Sequence, residues 1–184
     1  MAYLYLKAQG FAGKEVADVE VDAAKLQALR EKNCKVSNIE GNRRELKFDY
    51  LAEALPYPLD TITRGWGAVG TQAGVDKVVP FTEEMNREML TVKNLKSGTY
   101  GLYIDDEHCG DFSSKELAEG INLAKIDRTP QYQQALAVMH LNEIRWELER
   151  KFREIAWVQW GFLQQYGLAE SFDRRAVEAI DREK

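Results

Sequence analysis

The chain has 184 residues, enough for one ordinary domain or one domain with a helical extension, and its core needs no covalent staples. Its 45% hydrophobic and 30% charged residues form an ordinary soluble mixture, and no run approaches the roughly 20 apolar residues of a membrane helix. With 30 acidic against 25 basic residues the net charge is −5, which argues against a nucleic-acid partner; Arg43-Arg44 and Arg174-Arg175 are isolated pairs, not a basic stripe.

In chain order, Met1–Gln9 reads as a short helix closed by Gly10, with almost no first turn of its own. Glu15–Val21 reads as a short strand. Asp22 is placed to cap a helix reaching about Lys32, through the N–H groups of Ala24 or Lys25, with Asn33 as its left-handed stop. Val36–Ile39 and Leu46–Tyr50 flank the turn residues Glu40-Gly41-Asn42-Arg43 as a hairpin, with Leu46, Phe48 and Tyr50 on one face. Pro56 and Pro58 force the segment Ala54–Leu59 to be extended or turned.

Thr61–Asp76 carries Gly65, Gly67, Gly70 and Gly74 without periodicity, so a long irregular loop is expected there, serving either to bind or simply to cover. Its glycines match neither a Walker loop nor a dinucleotide fingerprint. Thr82–Leu90 follows as a helix capped by Thr82, with Glu83 and Glu84 in its first turn. Strands are expected at Thr91–Leu95, Thr99–Ile104 and His108–Phe112, joined by turns at Lys96-Ser97-Gly98 and Asp105-Asp106-Glu107. Ser113 and Glu116 form a capping box for a short helix closed by Gly120.

The last third is helical. Thr129-Pro130 pairs a capping residue with proline at the first helical position. Leu141, Ile144, Leu148, Phe152 and Ile155 then recur at helical spacing, and Trp146, Trp157 and Trp160 suggest a second buried face. A helix over 131–166 would be about 54 Å long, too long for this core alone unless it breaks, at Gly161 or Gly167, or covers another surface. Asp173–Lys184 reads as a short charged helix or frayed tail.

Residues able to do chemistry are few. Cys34 and Cys109 allow at most one disulfide, and neither lies in a C-x-x-C pair that would suggest zinc. The apolar stretch within Met1–Lys7 is too short for a signal peptide and has no basic lead-in. Asp105-Asp106-Glu107-His108 contains D-x-x-H, the spacing of an aspartate that orients a catalytic histidine. It sits where a hairpin turn is expected, and no serine lies in a G-D-S-L-like block or G-x-S-x-G elbow. The turn reading therefore prevails. His140 lies mid-helix among Val138, Met139 and Leu141 and reads as a packing residue, and the three tryptophans are better core or interface anchors than a sugar platform. No metal or other cofactor is implied.

One resemblance organises these pieces. Leu95 to Asp105, with Gly98, Tyr100, Leu102, Ile104 and Asp105 in place, follows the pattern L-x-x-G-x-Y-x-L-x-I-D. Gly110 to Ala124 follows G-x-F-x-x-x-E-L-A-x-G-I-N-L-A, and Thr129-Pro130-Gln131-Tyr132-Gln133-Gln134 matches a T-P-Q-x-x-Q helix start. Glu53 to Pro58 matches E-A-L-P-x-P. Together these resemble the C-terminal segment of bacterial SGNH/GDSL-like hydrolases. Met1 to Gly10 then resembles the helix that follows the family's catalytic D-x-x-H-P, with its front missing. The resemblance implies that the nucleophilic serine, oxyanion-hole groups, aspartate and histidine all lie upstream of Met1, so no catalytic residue is assigned in this chain. Asn122, in the G-I-N-L-A block, is the one candidate for a group facing the parent's cleft, against a plainer role bonding loop backbone.

The expected fold is α+β: short antiparallel strands and small helices followed by a long helical C-terminal portion. Residues 1–12 are expected to be the terminal helix of a catalytic domain, 13–128 a small α+β domain and 129–184 a helical extension. The expected function is that of an accessory part of an SGNH-type esterase or acylhydrolase, packing on a catalytic domain supplied in cis or as a separate chain and shaping its cleft for an ester or carbohydrate substrate. The resemblance further implies a parent of the kind that is often exported. The alternative is a stand-alone carbohydrate- or protein-binding module without activity.

Overall fold

The computed structural model describes residues 2–59 and 71–165, with positions 178 and 182 in addition. It is an α+β chain of short strands and small helices followed by a long helix. Two compact units are present, Met1–Ala137 and Val138–Lys184.

The first unit opens with α1 (Ala2–Ala8), which ends at Gly10 in the left-handed region, φ 78°, as the glycine stop requires. Lys7 and the Tyr3 hydroxyl both bond the Glu84 carboxylate, at 2.7 and 2.6 Å, and tie α1 to the body. The strand β1 (Ala17–Asp22) buries Ala17, Val19 and Val21 on one face and turns Asp18 and Glu20 to the other. Arg30 crosses to both carboxylates at 2.8 and 3.0 Å.

That cross-strand pairing corrects the helix expected after Asp22. Asp22 Oδ1 does accept from the N–H groups of Ala24 and Lys25, at 2.8 and 3.1 Å, yet it closes a turn. Leu26 sits at φ 52°, the chain reverses, and β2 (Gln27–Lys32) pairs antiparallel with β1. A helix-favouring composition gives way to a ladder offered by the neighbouring strand. Asn33 takes the expected left-handed conformation, φ 52°, but as a corner between strands.

β3 (Cys34–Asn42) and β4 (Glu45–Ala52) form the expected hairpin, with Leu46, Phe48 and Tyr50 turned to the core. Its turn is tighter than expected: Asn42 pairs Glu45, and Asn42 Oδ1 accepts from Arg44 N at 2.8 Å. Gly41 lies inside the strand at φ 118°, where a Cβ would come within 2.2 Å of the Glu45 carbonyl oxygen. Pro56 and Pro58 are buried in the irregular strap that follows. Of the glycine-rich loop, Gly65, Gly67 and Gly70 lie outside the described residues, and Gln72–Lys77 forms a 3₁₀ turn.

The helix expected over Thr82–Leu90 is only α2 (Phe81–Met85), and Thr82 is not its cap. Thr82 is buried, donating its N–H and hydroxyl to Asp76. Residues from Glu88 belong instead to β5 (Glu88–Lys93), which lies between β1, parallel, and β8 (Ile121–Asn122), antiparallel. The sheet order is β2-β1-β5-β8. β6 (Thr99–Ile104) and β7 (Glu107–Ser113) form a second hairpin, turning at Asp105 and Asp106 with φ 49° and 69°. The Ser113–Glu116 capping box is present and opens α3 (Ser114–Glu119). Gly120 closes it at φ 99°, where a Cβ would meet Thr91 Oγ1 at 2.9 Å.

α4 (Pro130–Gln165) runs through Gly161 without a break. Gly167 and the tail expected at 173–184 lie outside the described residues, apart from Glu178 and Arg182, which are helical. The second buried face expected of the tryptophans is not found. Trp146, Trp157 and Trp160 are 66%, 72% and 49% exposed, and Leu141, Ile144, Leu148, Phe152 and Ile155 are exposed with them.

Replacing Ser113 by alanine removes one half of the capping box and its bond to the Glu116 N–H. Chemical denaturation is expected to show a loss of about 1 kcal/mol, with an unchanged denaturant slope.

Candidate functional site

Polar side chains converge where β5 begins. On one face of β5, Glu88, Leu90 and Val92 follow one another into the interior, where Leu46, Phe48 and Tyr50 of the hairpin pack against the same core. Two residues at one end of this seam are polar. The Tyr50 hydroxyl donates to Glu88 Oε1 at 3.0 Å, and the Glu88 residue is fully buried, at 0% exposure. Its Oε2 has no hydrogen-bond partner among the described residues. Burial pushes the Glu88 carboxyl up to about 7, with the Tyr50 hydrogen bond pulling the other way. Tyr50 is driven far above the ordinary phenol range, first by burial and then by the carboxylate beside it.

Cys34 lies on the neighbouring strand β3, buried, its Sγ 3.6 Å from the Asp18 carbonyl oxygen. Burial raises its thiol, so at neutral pH it is protonated and a poor nucleophile. Cys109 is likewise free, buried and raised by burial.

Behind Glu88 two asparagines form a clamp. Asn86 is buried; its Oδ1 accepts from Tyr57 N and its Nδ2 donates to Tyr57 O, both at 2.8 Å, so the side chain pairs with the strap as a strand would. Asn122 Oδ1 accepts from Glu88 N at 2.9 Å and Ala124 N at 3.1 Å, while Nδ2 donates to Asn86 O at 3.1 Å. The candidate Asn122 is thus half-buried, with its amide engaged by three backbone groups. The Tyr57 and Phe81 rings meet edge to face at 5.5 Å, and Tyr132 OH reaches the Leu59 carbonyl at 3.5 Å. These contacts hold the strap up to the point where residues 60–70 begin.

The D-x-x-H does not assemble. His108 Nε2 lies 3.1 Å from Asp111 Oδ1, three residues the other way, and its ring rests 5.0 Å from that of Tyr103. Asp105 instead supplies a left-handed turn residue. His140 Nε2 is buried and has no hydrogen-bond partner among the described residues. Among the described residues no group of three His, Cys, Asp or Glu side chains is placed to hold a metal. No helix among them is long and apolar enough to cross a membrane.

Sequence reasoning missed Glu88, because a helix was expected over Thr82–Leu90. The available signal was the alternation Glu88, Leu90, Val92 opposite Leu46, Phe48, Tyr50.

Residues 136–184 match the family model of the diltiazem deacetylase C-terminal helical domain. A solved structure described as a gut microbial diltiazem-metabolizing enzyme is 59% identical, with a TM-score of 0.84, over 99% of this chain and 41% of that one. The chain therefore spans less than half the length of that relative. No curated protein matches.

Asn122→Ala strips three backbone groups of their partner and is expected to cost roughly 2–3 kcal/mol in equilibrium unfolding. Asn122→Asp keeps the acceptor for Glu88 N and Ala124 N but loses the donor to Asn86 O, so a smaller loss is expected.

Proposed function

We propose that this chain is the C-terminal, accessory part of a hydrolase, packing on a catalytic domain supplied in cis or as a separate chain and shaping its cleft. The observation that carries this reading is the 59% identity over 99% of the chain to a portion of a diltiazem-metabolizing enzyme. The match of residues 136–184 to a deacetylase C-terminal helical domain supports it from the other unit. In the finer form of the reading the parent's chemistry is SGNH-type. A serine on the other domain attacks an acyl carbon, a histidine takes its proton, and oxyanion donors hold the developing charge. That form rests on the strand-pair and G-I-N-L-A resemblance, and it suits a deacetylase, which releases an acyl group to water.

Within this reading Asn122 acts on a cleft only through the backbone it positions, at the starts of β5 and the 3₁₀ turn Leu123–Lys125. The second reading is a stand-alone carbohydrate- or protein-binding module, for which the exposed tryptophans of α4 would be the contact surface.

The 184-residue chain alone is expected to give no turnover of 4-nitrophenyl acetate above background, and His108→Ala to leave that background unchanged. Robust turnover abolished by His108→Ala would overturn the accessory reading. An open frame upstream that carries a GDS-like block and a D-x-x-H-P would select the SGNH form over the binding module.

A further inference from the structure

The seam between β5 and the β3–β4 hairpin is apolar along Leu90, Val92, Leu46 and Phe48 and ends on the Glu88–Tyr50 contact. We propose that Glu88 is carried uncharged in the folded protein in mild acid and works as a proton-operated latch, its ionisation loosening the seating of the β3–β4 hairpin on the sheet.

The argument starts from what a buried carboxylate needs. Ionised, it is tolerated when a cation or two or three donors face it. Glu88 has one donor, Tyr50 from β4, and its second oxygen meets none among the described residues. From β3 the nearby titratable group is Cys34, a buried thiol held neutral by that burial. From β1 the register partner is Ala17, which offers no charge. Asn122 of β8 donates its amide N–H to the Asn86 carbonyl, not to the carboxyl. Arg87, next in the chain, points to the opposite side of the strand and pairs Glu15 at 3.8 Å. The charge would therefore be uncompensated, and the carboxyl titrates near 7 instead of its ordinary 4.5.

The direction of the effect follows from that shift. The folded state holds its proton more tightly than an opened state does, so this contribution to stability is fully present below about 4.5. It drains away as pH rises and is spent above about 7. The hairpin should respond first, because Tyr50 lies on β4 and opening the hairpin suffices to admit water to the carboxyl.

Hydrogen exchange on the full 184-residue chain tests this. Corrected for intrinsic rates, protection of peptides from residues 34–52 is expected to fall roughly 50-fold between pH 5 and pH 8. Glu88→Gln, neutral at both pH values, should abolish that fall. Tyr50→Phe removes the donor to the charged form and should move the midpoint upward. Equal pH dependence in the wild type and Glu88→Gln would overturn the latch. Should the variants fail to fold, the carbon-13 resonance of the wild-type Glu88 carboxyl decides: a midpoint near 7 supports it, and one near 4.5 overturns it.

Discussion

The α+β body depends on the way β5 is paired. It has β1 on one edge, parallel, and β8 on the other, antiparallel. A parallel neighbour cannot be reached by a tight turn, so the chain must leave β1 and return a long way later. In many sheets a crossover helix makes that journey and packs on the sheet. Here it is made by β2, the β3–β4 hairpin, the proline strap and α2. Such a connection does not tie itself to the start of β5, and the two asparagines supply the tie. Asn86 fastens the strap by its main chain, and Asn122 fastens Asn86 and Glu88 in turn. G-I-N-L-A is thus a structural sentence: glycine for the close pass over Thr91, isoleucine for the two-residue edge strand, asparagine for the clamp, and buried leucine and alanine behind it.

The same strand explains why a carboxyl is kept in the core. An apolar seam is non-directional; shifted along its length, Leu46, Phe48, Leu90 and Val92 would bury similar area. A polar pair at one end adds direction, since the Tyr50 hydroxyl must meet Glu88 Oε1 at hydrogen-bonding distance, here 3.0 Å. Buried polar groups that fix a register are the best-attested use of such pairs, and they cost stability relative to an apolar end. A neutral carboxyl keeps that cost low, and a single phenol donor leaves it sensitive to its proton.

How much of this was legible in the sequence depended on whether the determinants were local. The Ser113–Glu116 box, the Gly10 and Gly120 stops, the left-handed Asn33 and the Thr129-Pro130 helix start all rest on residues within a turn of one another, and each is present. Asp22 shows the limit. Its bonds to Ala24 and Lys25 were foreseen, but the same two bonds serve a helix start and a strand-reversing turn. The choice was made by β1, which offers residues 27–32 an antiparallel ladder. The helix expectation failed over Asn86 to Leu90 for the same reason: helix-compatible residues from Glu88 on were recruited as the central strand by partners at 17–22 and 121–122. The clamp was half legible. Asn122 stood out by resemblance, whereas Asn86 carries no local mark and becomes meaningful only when Tyr57 arrives beside it.

α4 carries the opposite lesson. Its spacing asks for burial along Leu141, Ile144, Leu148, Phe152 and Ile155, and the tryptophans ask for more, yet all are exposed. Its ion pairs, Arg150 with Glu147 and Glu154 and Arg145 with Glu149, lie along the helix itself, at the i,i+3 and i,i+4 spacings that favour helicity. They secure helicity without supplying cover. Large exposed apolar patches are uncommon on a self-sufficient surface and mark places of association. On the accessory-part reading the missing cover is a larger protein, since the similar enzyme extends well beyond the 41% that this chain spans.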